Sequence, residues 1–410
     1  MNASYDAEFR PRLRPIEAFP LPSDDDEGGK YALRDASGLS DAYLTVTEGA
    51  LQVIALVNGE RNIDDIRSAF QDATGFEIDQ DTVAHMFDQL DTAHFLEGAS
   101  FESFYSERHQ EYVDCGVRVM TDAEGLGVDA KGQIFDSMLT GAVAIDDVDP
   151  ASIRGLVAPH LDYPRGAPCY AISYNTLRRR PTPDRVIILG TNHFGRSASV
   201  VATASSFETP LGMTAVDLDF LERLESRCGP LRRFEMDHAR EHSIELQVAW
   251  LQHLFGADRF QILPALCPDP CGPTGTAPYD GDGVDLADFA QAIGDLMEAD
   301  GKDTLLIAGA DLSHVGRSFG DDRDIDAGFL AEVEAKDRAS LMALVQHGPQ
   351  AFVAEVAKDD NPTRICSAGC IFAVATALQG KTATLGGYHQ AATPENDTCV
   401  SCTSMVFTES

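Results

Sequence analysis

Four short apolar runs in this chain stop abruptly at chemistry-bearing residues. In "IRGLVAPHLDY" (153–163) the run meets Pro159 and His160, and in "RVIILGTNHFG" (185–195) it meets Asn192 and His193. "RFQILPALCPDP" (259–270) stops at Cys267 and a proline, and "TLLIAGADLSHVG" (304–316) at Asp311 and His314. Each run is continuous rather than alternating and rich in Ile, Leu or Val, the pattern of strands buried on both faces. Helical patterns accompany them at 217–227, 241–255, 285–299 and 326–346. The alternation predicts an α/β domain whose core sheet is mainly parallel and flanked by helices. Open sheets of this kind bind ligands beyond the carboxyl ends of their strands. A single histidine there is commonplace, but His160, His193, Asp311 and His314 together predict a shared pocket.

Two further segments bear on that pocket. In "DHAREHSIELQVAWLQHLFG" (237–256), Ile244, Val248, Leu251 and Phe255 form the core stripe of a helix. His242 and Glu245 are three apart and share a face, which is expected to aim both at the pocket. Glu241 and Glu245 also suit the helix dipole near its N-terminus. "TRICSAGCIFAVATAL" (363–378) reads as a buried helix with Cys366 just before it. A thiol there has a lowered pKa, which favours nucleophile or ligand chemistry. Cys370 reads as a small core residue. Gly190 and Gly195 are expected to let the backbone turn around His193.

Composition narrows the partners. The chain has 410 residues, 44% hydrophobic, and a formal net charge of −35. Such a surface repels phosphate backbones and argues against a nucleic-acid partner. No apolar run is long enough to span a bilayer, and "MNASYDAEFRPRLRP" lacks the apolar core of a signal peptide. A soluble, cytoplasmic protein with no membrane partner is expected. Nine scattered cysteines suit reduced thiols. Three pairs lie close in sequence: Cys267/Cys271, Cys366/Cys370 and Cys399/Cys402. A four-thiolate zinc site drawing on two of them is the less favoured reading. The spacings are irregular, and residues three apart on a strand point to opposite faces.

The first part of the chain has a different texture. Residues 1–28, rich in Pro, Asp and Gly, are expected to be an extended arm. Residues 29–105 combine short β-like pieces with three helices, near 51–57, 63–70 and 81–94. "HFLEG" reads as a returning strand. These pieces make a small winged-helix-like α+β domain, followed by the α/β domain over 106–410.

Residues 29–105 resemble the PqqD-like domains, through "LVNGERNIDDIRSAF" and "TVAHMFDQLDTAHFLEG". That resemblance implies recognition of a peptide or partner, by adding a strand to a sheet edge. The α/β domain resembles the Memo family, including members called AmmeMemoRadiSam system protein B. The motifs that carry it are "LVAPHLDYPRGAPCYA", "VIILGTNHFG", "ETPLG", "EHSIELQVAWLQ", "ADLSHVG" and "RICSAG", in the family's order. The resemblance implies a fold similar to class III extradiol dioxygenases and a non-haem metal site made by His160, His193 and Cys366. Asp311, His242 and His314 would lie around it.

Two imidazoles and a thiolate with open positions suit Fe(II) or copper, and zinc is compatible; with the resemblance, Fe(II) is the expected ion. Asp311 would ligate or fix a histidine tautomer, and His314, with His242 as alternate, would serve as general acid/base. Asn192, Asp162, Tyr163 and Glu245 are the candidate substrate-binding residues. Two motifs depart from the family. His160-Leu161-Asp162-Tyr163 stands where His-Ala-Gly-Tyr is common, and Cys366-Ser367-Ala368 where some members have Cys-Gly-Arg, so a basic substrate anchor is missing. The expected function is an iron-dependent, oxygenase-like redox enzyme acting on a small molecule or peptide, with a radical SAM protein as possible partner. The alternative is a non-catalytic peptide- or protein-binding scaffold that uses the enzyme-like pocket. A hydrolase or Cys366-nucleophile enzyme ranks below both.

Overall fold

A computed structural model describes residues 5, 8–22, 29–121, 132–393, 395 and 397–409. They fall into two compact units, Met1–Glu111 and Tyr112–Ser410. Among the described residues, no helix is long and apolar enough to cross a membrane.

In the first unit, β1 (Ile16–Pro20), β2 (Lys30–Asp35) and β3 (Tyr43–Thr47) form an antiparallel sheet in that order. Three helices follow: α1 (Glu48–Ile54), α2 (Ile63–Thr74) and α3 (Gln80–Thr92). The "NGERNIDDI" stretch starts α2 by a capping box, in which Asn62 and Asp65 satisfy each other's backbone N–H. Gly75, at φ 76°, ends it in the left-handed conformation. Leu33, Ile66, Val83, Phe87 and Phe95 are its buried centre. Two expectations are corrected here. Part of the supposed arm is β1, paired along its length with β2; residues 1–4, 6–7 and 23–28 lie outside the described residues. "HFLEG" makes a single antiparallel bridge, Leu96 to Leu13, rather than a strand. Helix α4 (Ala99–Cys115) runs through the division between units.

The second unit begins with β4 (Val117–Val119) and α5 (Gln133–Leu139). Its core is built from β5 (Ile153–Ala158), α6 (Tyr163–Leu177), β6 (Arg185–Thr191), β7 (Val201–Ala202), β8 (Ser206–Thr209) and β9 (Gly212–Thr214). The chain continues through α7 (Leu218–Cys228), α8 (His242–Phe255), β10 (Gln261–Cys267), α9 (Leu286–Asp300), β11 (Thr304–Gly309) and β12 (Asp311–Val315). It ends with α10 (Ala327–His347), α11 (Pro349–Val356), α12 (Ala368–Ala377), β13 (Thr382–Thr393) and β14 (Thr398–Thr408). The expected helices thus start within a residue of their sequence limits, each opened by an acidic cap: Asp217, Glu241, Asp285 and Asp326.

The main sheet runs β12-β14-β5-β11-β6-β10-β7, with β13 paired to β14. β5, β11, β6 and β10 are mutually parallel; β14, β12, β13 and β7 run antiparallel to their neighbours. The domain is therefore mixed α/β, with a parallel centre and antiparallel margins. All seven residues of β6 are buried, as its unbroken apolar run requires. β4, β8 and β9 form a separate three-stranded sheet.

Strand order decides what the strand ends can do. β11 lies between β5 and β6, so the chain leaving it toward Asp311 emerges between the ends that carry His160 and His193. Helix α8 is not a one-faced stripe: every residue from Ser243 to Gln252 is buried. Its Trp250 stacks on Tyr174 at 4.5 Å between centroids and packs against Phe135. The cysteine pairs are also rearranged by the fold. All nine thiols are free of disulfides, and the contacts run Cys267 to Cys370 and Cys169 to Cys402. Cys399 is buried in another cluster with Val315 and Phe329. Among the described residues, no group of cysteines alone could hold a metal, so the four-thiolate zinc site does not form.

Candidate metal centre

Three donor atoms, one each from His160, His193 and Cys366, lie within 4.8 Å of one another. Each arrives from a different element. His160 follows β5, His193 follows β6, and Cys366 precedes α12. Cys366 Sγ is 3.6 Å from His160 Nε2. The imidazoles of His160 and His193 meet edge to face, 4.9 Å between centroids.

Hydrogen bonds fix which nitrogen of each ring is free. His160 Nδ1 lies 2.9 Å from the Gly309 carbonyl, and His193 Nδ1 3.0 Å from Glu241. A carbonyl and an ionised carboxylate only accept, so both Nδ1 atoms carry the proton. Both Nε2 atoms are then left with lone pairs, the form in which imidazole ligates a metal. The Cys366 thiol is the remaining donor.

The electrostatics follow from burial. Burial lowers the His160 pKa well below its usual value, helped by the neighbouring His193 and His242. Burial also opposes charge on His193, but the Glu241 hydrogen bond and charge outweigh it and raise that pKa. Glu241 is itself held well below the carboxylate range: burial pulls the other way, and His193, His242 and the Ser243 N–H prevail. Asp311 is pushed up to about 7 by burial, against the N–H groups of His160 and Leu161. Burial and the nearby Asp311 drive the Cys366 thiol well above its usual value. This corrects the expectation of a thiol acidified by a helix N-terminus, since desolvation of the thiolate dominates. A protonated thiol beside a neutral imidazole also speaks against a free Cys366 nucleophile. A metal ion would supply the missing positive charge.

Around this trio the structure gathers most of the expected residues. Asp311 Oδ2 is 3.6 Å from His160 Nε2, and its Oδ1 accepts the His160 backbone N–H at 3.1 Å. His242 opens α8 with its ring 5.1 Å from that of His193 and nearly parallel to it. His314 lies beyond an irregularity in β12, its Nδ1 3.1 Å from the Leu312 carbonyl. Burial lowers its pKa to about 4, so its ring is neutral at pH 7. His193 and Cys366 line a cavity of about 600 Å³ whose other wall is the 267–279 loop.

The candidate substrate residues fare differently. Asn192 faces the cavity, but its amide donates to Asp237 at 3.0 Å and its Oδ1 accepts the Gly195 N–H. Asp162 caps α6 and pairs with Arg165. Tyr163 is fully buried, its hydroxyl donating to the Leu246 carbonyl at 2.9 Å. Glu245 does not turn to the pocket with His242. It is buried in an ion pair with Arg118 and accepts from Thr121. Three residues along a helix is about 300° of rotation, enough to separate the two once the helix is buried all round.

Sequence reasoning missed three contributors. Glu241 was credited only with the helix dipole, and it orients His193. Asp237, on a short helical turn, accepts from Asn192 and from the N–H groups of Arg196 and Ser197, shaping the loop that bears His193. Ser367 Oγ accepts the Asp311 N–H at 3.1 Å and meets Thr191 Oγ1 at 3.0 Å, tying three strand and helix ends together. The repeated acid-histidine pair of "DHAREHS", Asp237-His238 and Glu241-His242, is the visible signal. The glycines act by closeness rather than by turning. A Cβ on Gly190 would lie 2.3 Å from Ser243 Oγ, and one on Gly195 2.1 Å from Asn192 Oδ1.

Comparison with known proteins follows the same residues. The Memo-like protein family model matches residues 130–406, about two thirds of the chain and the whole of the site. A MEMO1 family protein of Aquifex aeolicus is 26% identical over 97% of this chain and 100% of its own length. A MEMO1 family protein of Methanopyrus kandleri is 31% identical over 48% of this chain and 65% of its own length. The crystal structure of an uncharacterized Escherichia coli K12 protein aligns over 62% of this chain at 16% identity and a TM-score of 0.38, too distant to carry an argument. The matched segment holds His160, His193, Glu241, Asp311 and Cys366 alike, and the chain belongs to the Memo-like family.

Proposed function

We propose that this protein binds one transition-metal ion, Fe(II) first and copper or zinc as alternatives, through His160, His193 and Cys366. The observation that carries the proposal is the pair of tied-back Nδ1 atoms, which leaves two Nε2 lone pairs beside one half-buried thiol. When bound, such an ion supplies Lewis acidity, and iron or copper adds one-electron redox capacity. The surrounding residues supply the rest. Asp311, titrating near 7, holds or gives up a proton beside His160. His314, neutral at pH 7, accepts one. His242 presents a further imidazole on the same side as His193.

The reading is an oxygenase-like redox enzyme on a fold akin to class III extradiol dioxygenases, acting on a small molecule or peptide. The first unit is read as a PqqD-like, winged-helix recognition module for a peptide or partner. Support for that role is the β1-β2-β3 sheet, whose end strands, among the described residues, each pair on one side, the arrangement that accepts an added strand. A cytoplasmic setting and a radical SAM partner, as the AmmeMemoRadiSam name suggests, belong to the same reading.

The test is metal content after anaerobic purification. The parent is expected to carry about one iron per chain, and His160→Ala, His193→Ala and Cys366→Ser to lose it. Iron unchanged across all three variants would sink the proposal. A metal-free protein that bound a partner peptide as tightly as the loaded one would favour the scaffold reading.

A further inference from the structure

Residues 117–121 precede the segment matched by the family model, which starts at 130, yet they grip the turn that supports His193. Arg118, on β4, is 2% exposed. Its Nε donates to the His238 carbonyl at 3.1 Å and its Nη2 to the Glu241 carbonyl at 2.8 Å. Its Nη1 faces the Glu245 carboxylate and also donates to the Val119 carbonyl. Thr121 adds its N–H at 2.9 Å and its hydroxyl at 3.1 Å to the same carboxylate. One guanidinium therefore spans residues 238–245, the turn into α8 that carries both Glu241 and His242.

The Arg118 fork is planar and rigid, and a buried charge is tolerated only when its donors are matched. It fixes the Glu241 backbone from one side while the Glu241 carboxylate fixes His193 from the other. His160 is held differently, by the Gly309 carbonyl at the end of β11. A loosened turn should disturb one imidazole and spare the other.

We propose that Arg118 is a positioning residue for the metal centre: by clamping the Glu241 and His238 carbonyls, it sets the orientation of His193. The inference rests on the proposed metal centre for its importance, but its geometric core can be tested without metal.

The experiment uses the full-length chain carrying Arg118→Lys, which keeps the charge and loses the fork. The Nδ1–H resonances of His193 and His160 are followed in metal-free protein labelled with 15N-histidine, and Co(II) is titrated in parallel. The expected result is a shifted or broadened His193 resonance beside an unchanged His160 resonance. Co(II) affinity should fall about tenfold, the low end of the effect of losing an outer-shell partner. Parent-like His193 resonance and affinity would overturn the proposal, and so would both resonances moving together, which marks general loosening. If Arg118→Lys does not fold, Thr121→Val takes its place. It removes the hydroxyl that donates to Glu245 and accepts from Arg118 Nη2 at 3.5 Å, and it must shift His193 alone for the proposal to stand. If the parent takes up no Co(II), the metal reading fails, while the two ring resonances still decide the clamp.

Discussion

Glu241 Oε2 accepts two hydrogen bonds from one residue: the backbone N–H of His193 at 3.0 Å and its ring Nδ1–H at 3.0 Å. One buried carboxylate thus sets both the position of His193 and the rotation of its imidazole. The Ser243 N–H, at 2.9 Å from Oε1, holds that carboxylate in turn.

Replacing Glu241 should therefore weaken metal binding without removing a ligand. Glu241→Gln keeps the size and an acceptor but loses the charge and half the symmetry. It is expected to lower metal affinity by about 10- to 100-fold, the usual effect of losing an orienting carboxylate. Competition titration against a chelator of known affinity reads the change. Undiminished affinity would mean that His193 is oriented by something else.

Metal binding should release a proton. Burial keeps the Cys366 thiol protonated well above neutral pH, and His193 is raised above its usual 6.5. Both must be deprotonated to ligate, so affinity falls as pH falls. From the thiol alone the apparent affinity should drop about tenfold for each pH unit between 8 and 7. Below the His193 pKa the drop should steepen. Co(II) titrations at several pH values measure the slope; a flat profile across this range would exclude Cys366 as a ligand.

His238 offers a stability test away from the metal. Its Nε2–H donates to the Val201 carbonyl at 3.0 Å, and burial lowers its pKa from 6.5 to about 4. Between those values the unfolded chain binds a proton that the folded chain refuses. Stability is thus full above 6.5 and declines as pH falls toward 4. By pH 4.5 the loss from this residue should reach about 2–3 kcal/mol. Urea unfolding of His238→Gln, which can still donate to Val201, should show a shallower acid decline than the parent by that amount.

Gly190→Ala tests close packing behind the site. The added methyl would meet Ser243 Oγ, which otherwise accepts the Thr191 N–H at 3.0 Å. A destabilisation of about 1–3 kcal/mol is expected, together with weaker metal binding, because Thr191 leads directly to His193. Thermal unfolding and the same metal titration check both parts. Full metal affinity in a destabilised variant would show that the strand end tolerates the shift.

The residues themselves determined the layout of the core and the neighbourhood of the site. Short unbroken Ile, Leu and Val runs bounded by Gly, Pro and polar residues read as buried strands, and the longer capped stretches beside them read as helices against that sheet. Where the central strands are parallel, their carboxyl ends share an edge, so His160, His193, Asp311 and His314 were legible as neighbours; Cys366, which precedes a helix, joined them through the resemblance to the Memo family. The tertiary structure alone decided the rest. Strand order put β11 between β5 and β6, and so Asp311 between the two histidines. Burial of α8 on every side sent Glu245 to Arg118 and left Glu241, one residue before His242, to orient His193. Burial also raised the Cys366 thiol that a helix N-terminus alone would have acidified. Hydrogen-bond partners and desolvation depend on what lies across the fold, over a hundred residues away in the chain for Arg118 and Glu241, and no local pattern encodes that distance.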